Sequence, residues 1–272
     1  MNKSVVTVLG MLSLACTEPT VPGGKARPAL RLPSFDVSLA AVTAVLPAGY
    51  QSVMGTSSNL FPHSWRNLRY QQVFLGTDLV DPTIVGLCLR RDERFGGTER
   101  LQTLRIKLGP TSMDYTNLGT SFDGNYSSAP TEVFAGDVLV SPATVAGTPA
   151  DFDLCIPFTQ EYEHPAGANV LVEVINTSIA SANVLKDACE GDEALCTTKR
   201  IFAFSATATT ATSPVAGGLI MKFISPDPPA PADPVTKDEC MNGGWSGFGF
   251  RNQGQCVRLV ETGEDSREPP AA

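Results

Sequence analysis

Residues 104 to 108 read Leu104-Arg105-Ile106-Lys107-Leu108, with aliphatic and charged side chains in strict alternation. Successive side chains of a β-strand point to opposite faces of a sheet, so the three aliphatics share one face and the two charges share the other. The pattern predicts a half-buried strand. Further along, Val170-Leu171-Val172-Glu173-Val174-Ile175 is apolar on nearly both sides, which favours a central strand that is covered on both faces.

Short apolar runs of this kind recur from residue 65 to residue 224, separated by turn residues such as Gly109-Pro110 and Asp123-Gly124-Asn125. No helical period of useful length lies between them, and the lack of crossover helices argues against a parallel sheet. We therefore predict an all-β domain in which two antiparallel sheets pack as a jelly-roll-like sandwich. The predicted strands are 69–75, 83–90, 101–108, 132–140, 152–158, 169–176, 200–206 and 219–224.

The region also carries a resemblance to a known group of proteins. It begins with Arg69-Tyr70-Gln71-Gln72-Val73-Phe74, and it ends with Gly218-Leu219-Ile220-Met221-Lys222-Phe223. Together with residues 84–92, 151–156 and 168–174, these segments resemble a group of exported bacterial β-sandwich lipoproteins with no assigned activity. Over roughly residues 66–224, the resemblance implies an exported jelly-roll-like domain and brings no function with it.

The N-terminus has the parts of an export signal. Lys3 is followed by an apolar run over residues 5–15 and then by Cys16; such a run is too short to span a bilayer, which takes about 20 apolar residues. Residues 12–16 resemble the lipobox of bacterial lipoproteins, which implies a signal peptide over 1–15 and a lipid on Cys16. Because Ser13 stands where that family prefers a branched aliphatic residue, ordinary cleavage to a secreted soluble protein stays the alternative.

The cysteine count agrees with export. With Cys16 assigned to the lipid, six of the seven cysteines remain, an even number that suits an oxidising compartment. Two pairs are close in sequence, and the third follows by elimination if its two strands are neighbours or face each other across the core. For that third pair, two buried free thiols are the alternative. The predicted disulfides are Cys189–Cys196, Cys240–Cys256 and Cys88–Cys155.

The net charge of the chain limits the classes of partner that we expect it to bind. The formal net charge is −8 and the pI is about 4.8, whereas proteins that bind nucleic acid carry a basic surface that neutralises phosphates. Nucleic acid is therefore excluded as an expected partner. An anionic membrane surface would also repel this chain, so we expect membrane attachment to come from the lipid on Cys16.

No catalytic or metal-binding constellation stands out. The two histidines are His63 and His164, and no Gly-x-Ser-x-Gly motif accompanies either of them. Glu161 and Glu163 lie next to His164 and are the nearest candidates for a hydrolase with dispersed carboxylates. Acidic loops at 76–82 and 190–193 lack the spacing of a calcium loop. We predict no catalytic residue, no metal and no cofactor, and we leave open whether the protein is an enzyme.

Aromatic residues near predicted loops are the better candidates for ligand contact, because sugar-binding sandwiches use aromatic faces in their end loops. We predict a binding or surface-interaction module, with polysaccharide or protein as its partner. A secreted hydrolase that uses His164 or carboxylates, and a purely structural envelope protein, are the alternatives. The candidate contact residues are Trp65, Tyr115, Tyr126 and Tyr162.

A separate module follows the sandwich. Thr236 and Glu239 have the spacing of a capping box, and Asn252 is placed to cap a helix through Cys256. Two short helices are predicted, with two short strands as the alternative, and so small a unit needs a cross-link to fold. Two cysteines without a nearby histidine are too few for a structural zinc site. Residues 240–256 resemble a tail module of bacterial secreted proteins, which supports export and the Cys240–Cys256 bond.

The predicted domain organisation follows from these segments. Before the sandwich, a lipid-proximal tether and lead-in follows the signal peptide; after it, a proline-rich linker precedes the tail module. The boundaries are 1–15 for the signal peptide, 16–64 for the tether and lead-in, 65–224 for the sandwich, 225–234 for the linker, 235–263 for the tail module and 264–272 for a disordered tail.

Overall fold

The computed structural model describes residues 43–92, 97–142, 149–191, 194–226 and 233–267. Within these residues the chain is mostly β-structure, with a single α-helix near the C-terminus. The strands are β1 (Thr43–Leu46), β2 (Ser57–Asn59), β3 (Leu68–Phe74), β4 (Thr83–Leu89), β5 (Arg100–Thr111), β6 (Thr131–Val140), β7 (Leu154–Glu163), β8 (Asn169–Asn176), β9 (Lys186–Glu190), β10 (Lys199–Ala203), β11 (Val215–Leu219) and β12 (Met221–Ile224).

The strands form two antiparallel sheets. One sheet has four strands in the order β1-β12-β4-β7, and the other has eight in the order β2-β9-β11-β10-β3-β8-β5-β6. The prediction of an all-β fold with two antiparallel sheets is confirmed. Strands β3, β8 and β5 lie side by side, which places the segment predicted to be a central strand, β8, between two neighbours.

The two sheets share one hydrophobic core. Leu87 and Phe223 enter it from the four-stranded sheet, and Phe74 and Leu104 enter it from the eight-stranded sheet. The rings of Phe74 and Phe223 meet edge to face with centroids 5.5 Å apart. The packing of the two sheets explains the alternation in residues 104–108, since Leu104 is buried while its neighbour Arg105 is exposed.

The eight-stranded sheet is also covered on its outer face. Val73, Leu171 and Ile201 pack there against Leu118 and Phe122 from the connection between β5 and β6. Strands β3 and β8 are therefore buried on both faces along nearly their whole length. This double burial accounts for the runs of apolar residues that alternation alone does not explain.

The sandwich begins before residue 65, contrary to the predicted boundary. Strand β1 pairs with β12 and strand β2 pairs with β9, so residues from 43 onward belong to the sheets rather than to a lead-in. The predicted strand 219–224 is divided at Ile220, whose N–H donates to the Asp187 carbonyl, 3.2 Å away. The division sends β11 into one sheet and β12 into the other.

Three disulfides join the cysteine pairs that the sequence suggested. Cys88 and Cys155 lie directly opposite each other on the neighbouring strands β4 and β7, with their Cα atoms 4.0 Å apart. The Cys189–Cys196 and Cys240–Cys256 bonds each join Cα atoms 5.7 Å apart. Three such bonds are typical of proteins that reside in an oxidising, extracytoplasmic compartment.

The C-terminal segment has one α-helix, α1 (Gln253–Thr262), instead of the two helices predicted. Asn252 caps α1, as expected, by accepting a hydrogen bond from the Gln255 N–H at 3.0 Å. The first predicted helix is replaced by two 3₁₀ turns, Asp238–Cys240 and Gly244–Phe248. Gly243 and Gly249 at the two ends of the second turn adopt positive φ angles of 89° and 79°, which stops a right-handed helix from continuing.

Aromatic packing and one arginine order this segment. Trp245, Phe248 and Phe250 pack around the Cys240–Cys256 bond. The Arg267 guanidinium lies 4.8 Å from the centroid of the Phe250 ring and also pairs with Asp233 and Asp265. The ordered contacts of Asp265 and Arg267 are contrary to the prediction of a disordered tail from residue 264. The signal peptide, Cys16, the tether up to residue 42 and most of the linker lie outside the described residues.

Candidate functional site

The four aromatics predicted to contact a ligand do not form one surface. Tyr162 is only 5% exposed and belongs to the core between the sheets. Tyr126 packs against the outer-face cluster, and its hydroxyl is buried. Tyr115 lies on an exposed turn. As core residues, Tyr126 and Tyr162 do not present the ring faces that were proposed for them, whereas Trp65 belongs to an aromatic cluster at the surface.

Trp65 lies in a group of four aromatic rings. The Phe61 ring meets Trp65 at a centroid distance of 5.7 Å, and Phe204 lies 6.0 Å from Trp65. Phe202 completes the group at 4.8 Å from Phe61 and 5.6 Å from Phe204. Phe204 is 60% exposed. We call Trp65, Arg66, Asn67 and Phe204 the Trp65 site, because these four residues line a cavity of about 340 Å³.

The sheet topology brings these residues together. Strand β3 begins just after Asn67 and strand β10 ends just before Phe204, and the two strands are antiparallel neighbours. The segment before β3 and the segment after β10 therefore meet at the same end of the sheet. The side-chain carbonyl of Asn67 accepts a hydrogen bond from the Ala206 N–H at 3.1 Å, which ties the two segments to each other.

Several hydrogen bonds hold the segment that carries Trp65. The Ser64 carbonyl accepts from the Ala182 N–H at 3.0 Å, and the Pro62 carbonyl accepts from the Asn176 amide at 3.0 Å. The Arg66 N–H donates to the Ser181 hydroxyl at 3.2 Å. Because the backbone on both sides of Trp65 is fixed, the indole is placed before any ligand arrives, which reduces the entropy cost of binding.

Two buried titratable side chains lie beneath this segment. His63 and Lys186 are both fully buried, and the Lys186 ammonium nitrogen donates to the Ser64 hydroxyl. Burial lowers the pKa of His63 well below its ordinary value, and the charge of Lys186 lowers it further. Burial, followed by the charge of Arg91, lowers the pKa of Lys186. Neither group reaches solvent, and Lys186 supports the Trp65 segment through its hydrogen bond to Ser64.

The Trp65 site combines apolar faces with polar donors. Arg66 and Asn67 are exposed beside the rings. Within the described residues the Arg66 guanidinium makes no hydrogen bond or ion pair, and the amide nitrogen of Asn67 has no partner. Aromatic faces that pack on apolar surface, next to a few polar groups that fix orientation, are the usual composition of a small-ligand site.

The alternative site around His164 gains no support from the geometry. His164 is 7% exposed, and its Nε2 donates to the Ala168 carbonyl at 3.0 Å, because a carbonyl oxygen only accepts. The Nδ1 atom therefore accepts from the Tyr162 hydroxyl at 3.4 Å. Both ring nitrogens are occupied, and burial lowers the pKa of His164. Glu161 and Glu163 share an exposed face of β7.

The Arg-Tyr-Gln-Gln segment of β3 takes part in a buried polar network around Glu173. On the outer face, Glu173 is fully buried and accepts from Arg69 Nη2 at 3.0 Å and from Gln71 Nε2 at 3.2 Å. Arg69 also pairs with Asp123, at 2.6 Å. This carboxylate is neutralised and saturated with donors, so Glu173 is a structural residue and not a catalytic acid.

The residues that sequence reasoning missed are the partners of Trp65. Phe202 and Phe204 alternate in a predicted strand, a signal that they share a face. The pairing of β10 with β3 was needed to place that face beside Trp65, and a single sequence does not show strand pairing.

The chain shows no match to any family model, curated protein or solved structure. Among the described residues, no group of three or more histidines, cysteines or carboxylates is placed to hold a metal ion. The same residues include no helix of the length and hydrophobicity needed to span a membrane.

Proposed function

We propose that the protein is an exported binding module whose Trp65 site takes carbohydrate. The observation that carries the proposal is the exposed, preorganised aromatic group at one end of the sandwich, with the free donors of Arg66 and Asn67 beside it. A sugar ring has an apolar C–H face that stacks on Trp65 or Phe204, and its hydroxyls accept hydrogen bonds from the two polar side chains. A cavity of about 340 Å³ has room for one or two sugar rings.

The location proposed for this module is the cell envelope. The export signal over residues 1–15, the lipobox-like segment ending at Cys16 and the three disulfides all support a lipoprotein whose jelly-roll-like domain faces an oxidising compartment. Its partners would then be the membrane, through the lipid, and an envelope or extracellular polysaccharide. Intact-mass analysis of the mature protein tests the anchor: a diacyl or triacyl adduct at Cys16 supports it, and a free or absent Cys16 contradicts it.

Affinity electrophoresis in gels that contain soluble polysaccharides tests the binding function. The native protein and the variants Trp65→Ala and Tyr115→Ala are run beside a marker protein. Tyr115 is the control, because it is an exposed aromatic residue on a turn outside the Trp65 site. We expect at least one polysaccharide to retard the native protein and Tyr115→Ala but not Trp65→Ala. Equal retardation of all three proteins, or of none, would overturn the proposed site.

A further inference from the structure

The Trp65 site contains one charged side chain, and that side chain is unpaired within the described part of the chain. Arg66 is exposed, and no described carboxylate lies within ion-pair distance of its guanidinium. Two exposed arginines do have such partners, since Arg105 pairs with Glu132 and Arg258 with Glu264, whereas the exposed Arg100 has none among the described residues. Arg66 differs from Arg100 in its position, because it lines a cavity together with two aromatic rings.

The chemistry of the Arg66 guanidinium indicates which kind of ligand group would bind to it. Its planar N–H donors match the two oxygens of a carboxylate or the oxygens of a sulfate, and such charge-assisted bonds are about twice as strong as neutral ones. A neutral sugar offers Arg66 only hydroxyl groups. The neighbouring Trp65 and Phe204 rings supply an apolar surface for a sugar ring, so one ligand that carries both a sugar ring and an anionic group would contact both features.

The negative charge of the whole protein does not exclude such a ligand. The net charge is −8, but at physiological ionic strength exposed charges are screened beyond about 8 Å. A contact at hydrogen-bond distance with Arg66 is therefore decided by the local charge. The described residues that line the cavity with Arg66, namely Trp65, Asn67 and Phe204, carry no opposing carboxylate.

We propose that the ligand of the Trp65 site is an acidic carbohydrate, with its ring stacked on the aromatic group and its carboxylate or sulfate bound by Arg66. This inference rests on the proposed function and narrows its substrate class to anionic sugars. It also assigns Arg66 as the specificity-determining residue, while Trp65 contributes to the binding of charged and neutral sugars alike.

Matched ligands test the inference. Dissociation constants are measured by calorimetry for oligogalacturonate, for its fully methyl-esterified form and for a sulfated galactan oligosaccharide. Esterification removes the charge of the carboxyl group and adds one methyl group, and the third ligand separates sulfate from carboxylate as the source of the anion. The proteins are the native chain, Arg66→Gln, Arg66→Lys, Trp65→Ala and the control Arg100→Gln, which removes an exposed arginine outside the site.

We expect at least one anionic ligand to bind about tenfold more tightly than the methyl ester, as one charged hydrogen-bonded contact predicts. Arg66→Gln removes this preference and leaves the weaker binding of the ester, Arg66→Lys restores part of it, and Arg100→Gln behaves like the native protein. If neither anionic ligand binds more tightly than the ester, or Arg66→Gln keeps the preference, the inference is wrong although the sugar-binding function stands. If Trp65→Ala changes no dissociation constant, or no sugar binds to any protein, the proposed function fails as well.

Discussion

Trp65 and Phe204 lie with their ring centroids 6.0 Å apart, although one precedes β3 and the other follows β10. Their proximity depends on the antiparallel pairing of these two strands, in which Tyr70 lies opposite Phe202. The aromatic surface is thus a product of the sheet topology. It is held by backbone hydrogen bonds around Ser64 and not by the aromatic contacts alone.

Replacing Phe204 with alanine should weaken ligand binding without unfolding the protein. Phe204 is 60% exposed, so its truncation removes little buried area, whereas it removes one aromatic wall of the Trp65 site. We expect a loss of about tenfold in affinity for the polysaccharide that retards the native protein, which is about 1.4 kcal/mol. Calorimetric titration and thermal unfolding check the two effects. A fall in the melting temperature of more than a few degrees, with affinity unchanged, would contradict the assignment.

The stability of the fold should fall as the pH drops below about 6.5, through His63. Burial holds the pKa of His63 well below its ordinary value of 6.5, so the unfolded chain binds a proton in this range that the folded chain does not. Linkage then lowers the free energy of unfolding by up to about 1.4 kcal/mol per pH unit below pH 6.5. Denaturant unfolding at pH 7.5 and pH 5.0 measures the difference.

The two histidines provide a matched comparison for this prediction. The variant His63→Gln should lose the part of the pH dependence between pH 7.5 and pH 5.0 that His63 contributes, whereas any part from Lys186, whose pKa burial also lowers, remains. The variant His164→Gln should lose less, because His164 is partly reachable by solvent and burial lowers its pKa to a smaller extent. An unchanged pH dependence in His63→Gln would show that His63 is not the titrating group.

Gln72 should be one of the most sensitive polar positions in the sandwich. Its side chain accepts from the Leu219 N–H at 3.0 Å and donates to the Leu219 carbonyl at 2.9 Å. The Gln72 amide thus takes the place of a neighbouring strand that would otherwise pair with the backbone of Leu219. It also donates to Thr198 at 2.9 Å. The substitution Gln72→Leu leaves buried backbone groups of Leu219 unpaired, at a cost of about 3 kcal/mol in the free energy of unfolding.

Equilibrium denaturation compares Gln72→Leu with Gln160→Leu. Gln160 is exposed and makes a single bond to the Glu132 carbonyl, so its substitution should change the free energy of unfolding by no more than about 0.5 kcal/mol. Similar values for the two variants would argue against the special role of Gln72.

The C-terminal module should depend on the Cys240–Cys256 bond. Its core consists of this disulfide, three aromatic rings and three aliphatic side chains of α1, and its loop closure contributes about 3 kcal/mol in the chain-entropy estimate. In the double variant Cys240→Ala/Cys256→Ala we expect the amides of α1 to lose protection from hydrogen exchange. Exchange of the β3 amides serves as the internal reference. Retained protection in α1 would show that aromatic packing alone is sufficient.

Periodicity predicted the β-class and most strands because burial is encoded locally. The alternating burial along β5 and the burial of β8 on both faces agree closely with the sequence patterns of these two strands. Strand β9 was missed because it begins with Lys186 and Asp187, charged residues that the fold buries completely. Asp187 is neutralised there by Arg90 at 2.6 Å, a partner that only the tertiary structure supplies.

The candidate site was less predictable than the fold. Trp65 was identified as a loop aromatic, but its partners depend on which strands are neighbours. Tyr162 had the same sequence signature as Trp65, an aromatic residue near a predicted loop, and lies in the core. The sequence does not distinguish an aromatic residue at the surface from one that covers the end of the core, because the difference depends on how the two sheets pack.

Tryptophan fluorescence tests the central claim most directly, because the chain has only two tryptophans, Trp65 and Trp245. The variant Trp245→Phe leaves Trp65 as the single indole, and its emission is followed while an acidic oligosaccharide is added. The account predicts a saturable shift or quenching of Trp65 emission with the same dissociation constant that calorimetry gives. Binding that calorimetry detects without any change in Trp65 emission would place the ligand elsewhere and contradict the account.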